Sequence, residues 1–404
     1  ITSAVDPTGG SGSYFYKWQY STSSTFASGV VDINTNDKEL PAEAFTMSGA
    51  DGTVYYFRRA VRDLNASTFY YSTNSIAFTA RSAPSVTAIT VTPSGPLPKG
   101  GTVQVSATTS GTTTLTYNWD KAGGTFANST TAGSASPSIT VPNNGATSWT
   151  PALVVTNTYG CVSPSYSIAT PVTLTDLNAG VLKILSNQTI CEGGTPGLIY
   201  GDASNSSSLP TGGNGYSYTW GTGSGGSFVA LPSSTNMANY QPGVTQVSGS
   251  TNQTSLVFTR RVTSLGVTAD ASITVTVNPL PTIGISVSPS TIAPGGTATL
   301  SGSGGSSYVF KDGAGATVGA SIILTTAGTY TYTAVGTDAN TTCSANSTGS
   351  ATLTVSNVVP GSLTVPTDLD LCIGEKTPTI TSAVDPTGGS GSYFYKWQYS
   401  TSST

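Results

Sequence analysis

The 25 residues Ile380–Thr404 reproduce Ile1–Thr25 without a difference, both reading ITSAVDPTGGSGSYFYKWQYSTSST. Identity over that length is not chance, so the chain carries a repeat whose period is the 379-residue offset between the two copies. Repetition at a fixed period commits a chain to an array of supersecondary units, each packed on its neighbours. The expectation is that the chain opens inside one unit of a longer repetitive protein and stops inside the next.

A weaker repeat lies within the period. With Cys191 set against Cys372, AGVLKILSNQTICEGGTPGLI (Ala179–Ile199) matches PGSLTVPTDLDLCIGEKTPTI (Pro360–Ile380) without a gap. Downstream, Pro210–Trp220 matches Pro7–Trp18, and Leu256–Val262 matches Tyr55–Val61. These stretches define a type A module. A type B module alternates with it: Ile89–Ala107 resembles Ile285–Gly302, and Thr116–Gly124 resembles Ser307–Gly315 with Phe310 where Trp119 stands. The expected order is A over 1–80 (N-terminally truncated), B over 84–175, A over 179–278, B over 281–357, and the opening of a further A over 360–404. Pro and Gly mark each joint, as expected where chain direction resets.

Strand signals recur every 8–15 residues between Gly, Pro, Asn and Ser clusters, and no stretch holds a helical period. Charged residues make up 8% of the chain, against about 25% in an ordinary soluble domain. Ser and Thr replace them, which suits strands with hydroxyls facing water. The 20 Tyr, 11 Phe and 5 Trp fall in alternating runs able to build cores, which argues against disorder. The predicted fold is all-β: tandem Ig-like or PKD-like β-sandwich modules in an extended rod. In Ala271–Val277, for example, Ile273, Val275 and Val277 share one face and Ser272, Thr274 and Thr276 the other.

Trp18, Trp119 and Trp220 each follow Tyr-rich alternation in mid-module and read as core tryptophans; a sugar-stacking platform is the competing reading. Arg59 and Arg260 share the parity of apolar neighbours, Tyr55, Phe57 and Val61 for one and Leu256, Phe258 and Val262 for the other. A guanidinium on an apolar face needs a partner, and each is expected to stack on or run beside the Trp of its own module.

Cys161 and Cys191 are 30 residues apart, Cys343 and Cys372 are 29 apart, and each pair straddles a B-to-A joint. Repeat symmetry therefore predicts disulfides Cys161–Cys191 and Cys343–Cys372, with four free thiols as the alternative. Bridges would place the protein outside a reducing cytosol.

The chain has no His, the commonest general base and zinc ligand, and no CxxC, HExxH, GxSxG or Walker A pattern. No catalytic, metal-binding or cofactor-binding residue is assigned. Asp368 and Asp370, near one joint, could hold calcium, but Asn187 and Thr189 stand at the matching positions of the other A module. The net charge of −4 offers no basic patch for nucleic acid, and no apolar run suits membrane insertion. Asn65, Asn128 and Asn252 sit in glycosylation sequons, which a Ser- and Thr-rich chain also produces by chance.

The string PG-x-L…C-x-G-x-x-P-x-x-I over Pro360–Ile380, followed by PTGG-x-G-S-Y-x-Y-x-W and an aromatic-rich strand with Arg-Arg, resembles the PKD-like and Ig-like repeats of giant type IX-secreted surface proteins of Bacteroidota, the SprB-type gliding adhesins. The resemblance covers the A modules well and the B modules generically. It implies a cell-surface filament associated with the outer membrane, moved by gliding and secretion machinery through regions outside this sequence, and gripping a substratum or polysaccharide. Its immediate partners would be further copies of the repeat. No binding residue carries over. A carbohydrate- or protein-binding array of a secreted protein, and a self-assembling fibre or surface layer, stay open as other readings.

Overall fold

The computed structural model describes every residue except 185, 187, 202–208, 245–251, 366, 368–369 and 403–404. Asp368 and Asn187, from the calcium reading, lie outside the described residues. The chain is all-β: no described residue is in an α-helix, and the strands form separate sheets along the sequence. It falls into two compact units. One holds 1–179 with 210–217 and 262–269; the other holds 180–209, 218–261 and 270–404.

In the first unit, Tyr14–Ser21 pairs antiparallel with Val31–Ile33 on one side and Val54–Asp63 on the other. Val54–Asp63 also pairs with Tyr70–Tyr71 and Ile76–Thr79. Alternation puts Trp18, Tyr55 and Phe57 inward, where they meet Leu40 and Ala80. Phe45 fills the remaining space, its ring 4.5 Å from Tyr20, 5.1 Å from Phe57 and 5.3 Å from Tyr55.

Further along, Ser85–Thr92 and Thr102–Ser110 form one layer with Ser138–Thr140 and Thr125–Phe126. Leu115–Asp120, Ala152–Asn157 and Tyr166–Ser167 form another. Val103, Val105 and Ile139 from the first layer and Trp119, Leu153 and Val155 from the second close one core with Trp149 and Leu174. Each strand buries every second residue, which is the period-2 economy of a half-wet sheet. Val172–Thr175 pairs in parallel with the short strand Leu97–Pro98.

The second unit repeats both themes. One sheet runs, in spatial order, Thr189–Cys191, Val267–Asn278, Thr254–Ser264, Ser217–Thr222, Val229–Thr235. Within it Val275 and Val277 are fully buried while Ser272 and Thr274 are exposed, the alternation expected from the sequence. Gly284–Ser288, Thr297–Ser303 and Ser321–Ile323 form a second sheet. It shares a core with the sheet containing Ser307–Asp312, Gly328–Thr337 and Ala351–Val355, built on Ile283, Leu300, Phe310, Tyr332, Ala334 and Leu353. Ala351–Val355 takes the short Thr291–Ile292 as a parallel neighbour. Three closing strands thus carry a short opening strand in parallel, while the first sheet carries none on Ile76–Thr79 among the described residues.

Candidate functional site

The feature that sets this chain apart chemically is a disulfide between Cys191 and Cys343, 152 residues apart, with Cα atoms 5.6 Å apart. That separation is normal for an unforced bridge. Cys191 ends the strand Thr189–Cys191, which lies parallel to the tail of Val267–Asn278: Thr189 opposite Thr276, Ile190 opposite Val277, Cys191 opposite Asn278. Two backbone bonds at 2.8 Å fix this register, Thr276 N–H to the Gln188 carbonyl and Glu192 N–H to the Asn278 carbonyl. The parallel pairing carries the Cys from the opening strand of its sheet to the end where that sheet hands over to the next.

Cys343 arrives from the other side. It closes a tight loop after Gly328–Thr337, in which Asp338 N–H bonds the Cys343 carbonyl at 2.9 Å and Thr342 N–H bonds the Asp338 carbonyl at 2.8 Å. The Asp338 carboxylate accepts the N–H groups of Asn340 and Thr341, both at 2.9 Å, and these bonds hold its pKa below the ordinary range. Cys343 is fully buried.

This overturns the predicted pairs Cys161–Cys191 and Cys343–Cys372, since both Cys161 and Cys372 are free. Nearness in sequence misled, because a parallel strand pairs with a chain segment more than 80 residues away and brings its Cys to the A-to-B joint, not the B-to-A joint.

The three tryptophans are buried, Trp18 and Trp119 at 4% exposure and Trp220 at 0%. Each indole N–H donates to a backbone carbonyl: Asp37 at 3.1 Å, Ser134 at 3.0 Å and Met237 at 2.8 Å. Trp220 stacks on Tyr240, centroids 5.3 Å apart. None of the three presents a free face for a sugar.

Arg59 faces Trp18 across the strand pair, yet its guanidinium lies over Tyr16, 5.5 Å from the ring centre. It donates to Ser3 Oγ and to the Lys38 carbonyl at 3.2 Å. Arg260 is fully buried, lies 5.4 Å from the ring centre of Tyr218, and donates to the carbonyls of Gly201 and Ala238, the latter at 3.4 Å. In both sheets the ring engaged is therefore the Tyr two residues before the Trp, not the Trp itself. The longer indole is already committed to the core, and the Tyr on the same face is the ring within reach.

Two structural residues escaped sequence reading. Trp149 is 1% exposed and bonds the Lys121 carbonyl at 2.6 Å, but its two-residue strand shows no alternation to reveal it. Arg261 holds Asp270 in a fork, with Nε to Oδ1 and a terminal nitrogen to Oδ2 both at 2.8 Å, and lies 4.0 Å from the centre of the Phe228 ring. That fork is the first cause of the depressed Asp270 pKa and of the raised Arg261 pKa. No group of three or more potential metal ligands occurs among the described residues, and no described helix is long and apolar enough to cross a membrane.

The chain matches no family model and no curated protein sequence. Among solved structures it is similar to three N-terminal domains of the bacteriophage RB49 Highly Immunogenic Outer Capsid protein, at 12% identity over 68% of this chain and 99% of that one, TM-score 0.26. It is similar to titin domains I67–I69 at 11% identity over 68% and 99%, TM-score 0.26. It is similar also to the D1–D4 ectodomain fragment of ICAM-5 at 12% identity over 75% and 83%, TM-score 0.29. These neighbours are multidomain proteins of Ig-like type, and at such scores the likeness carries no argument about what this chain binds.

Proposed function

We propose that this chain is a structural stretch of the stalk of a giant extracellular adhesin of the SprB gliding type, and that it has no catalytic role. Its units would be the alternating A and B modules with bounds at 1–80, 84–175, 179–278, 281–357 and 360–404. The observation that carries the reading is the bridge from Cys191 to Cys343, which joins the sheet ending at Asn278 to the sheets that follow it. A covalent tie at a module joint adds nothing to ligand recognition, but it keeps a pulled chain from paying out. The exact 379-residue repeat supports the same role, because identical copies extend reach linearly. The burial of Trp18, Trp119 and Trp220 speaks against a sugar-binding array. The outer-membrane machinery, the type IX secretion route and the substratum or polysaccharide belong to this proposal through segments outside the sequence.

The test is adhesion of beads coated with one 379-residue unit to glycan arrays and to glass. A stalk segment is expected to bind no better than uncoated beads. Saturable binding to a defined glycan class would replace the stalk reading with the binding-array reading.

A further inference from the structure

The two sheets of type A differ at one edge. Ser272–Asn278 aligns with Ser75–Arg81, with Ser, Ile and Thr identical at 272/75, 273/76 and 276/79. Val277 therefore corresponds to Ala80, and Asn278, the residue opposite Cys191, corresponds to Arg81. Where the Thr189–Cys191 strand covers Val267–Asn278, Val275 is fully buried. Its counterpart Phe78 is 46% exposed and Ile76 is 38% exposed, on a strand with no outer neighbour among the described residues. Ala80 directs both its N–H and its carbonyl inward, to Thr53 at 2.8 Å and Gly52 at 2.9 Å. Thr79 and Arg81 consequently turn theirs outward, as Thr276 and Asn278 do toward the covering strand.

Cys161 stands at this edge. Its Sγ lies 3.7 Å from the Arg81 carbonyl oxygen. The loop that carries it copies the loop of Cys343: Asn157 N–H bonds the Cys161 carbonyl at 3.0 Å, as Asp338 N–H bonds that of Cys343. Asn157 Nδ2 ties the loop to the Ser82 carbonyl at 3.1 Å, and the Arg81 guanidinium lies 4.1 Å from the Tyr159 ring centre. The receiving half of a Cys191–Cys343 junction is thus assembled around Arg81 and Cys161, with the donor strand missing.

The sequence names the donor. At its second occurrence the string ITSAVDPTGG is preceded by Pro360–Thr379, in which Asp370, Leu371 and Cys372 match Thr189, Ile190 and Cys191. Leu371 and Ile373 are both exposed, and Cys372 is free. We propose that the Ile76–Thr79 edge is the docking site for the Asp370–Cys372 strand of a further copy of the repeat, sealed by a disulfide from that copy's Cys372 to Cys161. Leu371 would lie opposite Ala80, and Ile373 N–H would reach the Arg81 carbonyl. Bond formation joins the two sulfurs with loss of two protons and two electrons. A small disulfide oxidant such as oxidised glutathione takes them and leaves as two thiols. This inference does not rest on the stalk reading, since a binding array would need the same junction.

The test places the Pro360–Thr379 sequence ahead of Ile1 in the full chain and oxidises it in a glutathione buffer. The expected result is one alkylatable thiol per chain in place of three, and a mapped peptide joining Cys161 to the added Cys. With the added Cys replaced by Ser, Cys161 should be alkylated again. A synthetic Pro360–Thr379 peptide offered to the Cys372→Ser chain provides a second measurement that needs no refolding of an extended protein. It should form a mixed disulfide with Cys161 faster than a scrambled peptide does. Full alkylation of Cys161 in the extended chain while Cys191–Cys343 is closed, or no rate advantage over the scrambled peptide, overturns the proposal.

Discussion

Pulling the chain by its ends with and without reductant turns the bridge into a length. Cys191 and Cys343 are 152 residues apart but 5.6 Å apart in space. With the bond closed, the intervening segment cannot extend even after both flanking folds have yielded. At about 3.4 Å per extended residue, that hides about 500 Å of contour length. The pairs Cys161–Cys191 and Cys343–Cys372 would hide two loops of about 30 residues each, about 200 Å in all on the same scale. Single-molecule force spectroscopy resolves that difference. Oxidised chains should therefore fall short of reduced ones by about 500 Å, and Cys343→Ser should give the long extension without reductant. A gain of about 200 Å on reduction, or none, would refute the junction described above.

Reducing the bridge or introducing Cys343→Ser should also lower the thermal midpoint of the second unit. The chain-entropy model gives about 5 kcal/mol for a loop this long, and measured bridges more often give 2–4, so calorimetry should show a fall of roughly 5–15 °C. Arg260→Ala strands the carbonyls of Gly201 and Ala238 in a fully buried site, at roughly 1–3 kcal/mol each, whereas half-buried Arg59→Ala should cost less in the same denaturant titration. Gly201→Ala should mimic Arg260→Ala in that titration, because a methyl there would collide with the Arg260 guanidinium. The Asp270 pKa is depressed in the fold by the Arg261 fork, so its stabilisation is fully present above the unfolded value of about 3.9 and is lost as pH falls through the folded value. The gap in thermal midpoint between the parent chain and Asp270→Asn should accordingly close below about pH 4, and a gap independent of pH would contradict the ion pair.

Alternation made much of the fold legible. The parity of Trp18 in Tyr14–Ser21 and of Val275 in Val267–Asn278 follows from period-2 patterning, since one face must leave water. Long-range pairing was not legible. Nothing local in Thr189–Cys191 states that it will lie parallel to residues 276–278, so the bridge was assigned to the nearer Cys. The tyrosines that receive Arg59 and Arg260 escaped for a related reason: parity selects a face, while side-chain length selects the ring. Trp149 lies in a strand too short to carry any period.

The junction stands or falls on which sulfurs are joined. Non-reducing proteolysis and mass mapping of the alkylated, oxidised monomer should recover the Cys191 peptide bonded to the Cys343 peptide, with Cys161 and Cys372 both alkylated. Recovery of Cys191 bonded to Cys161 would contradict it.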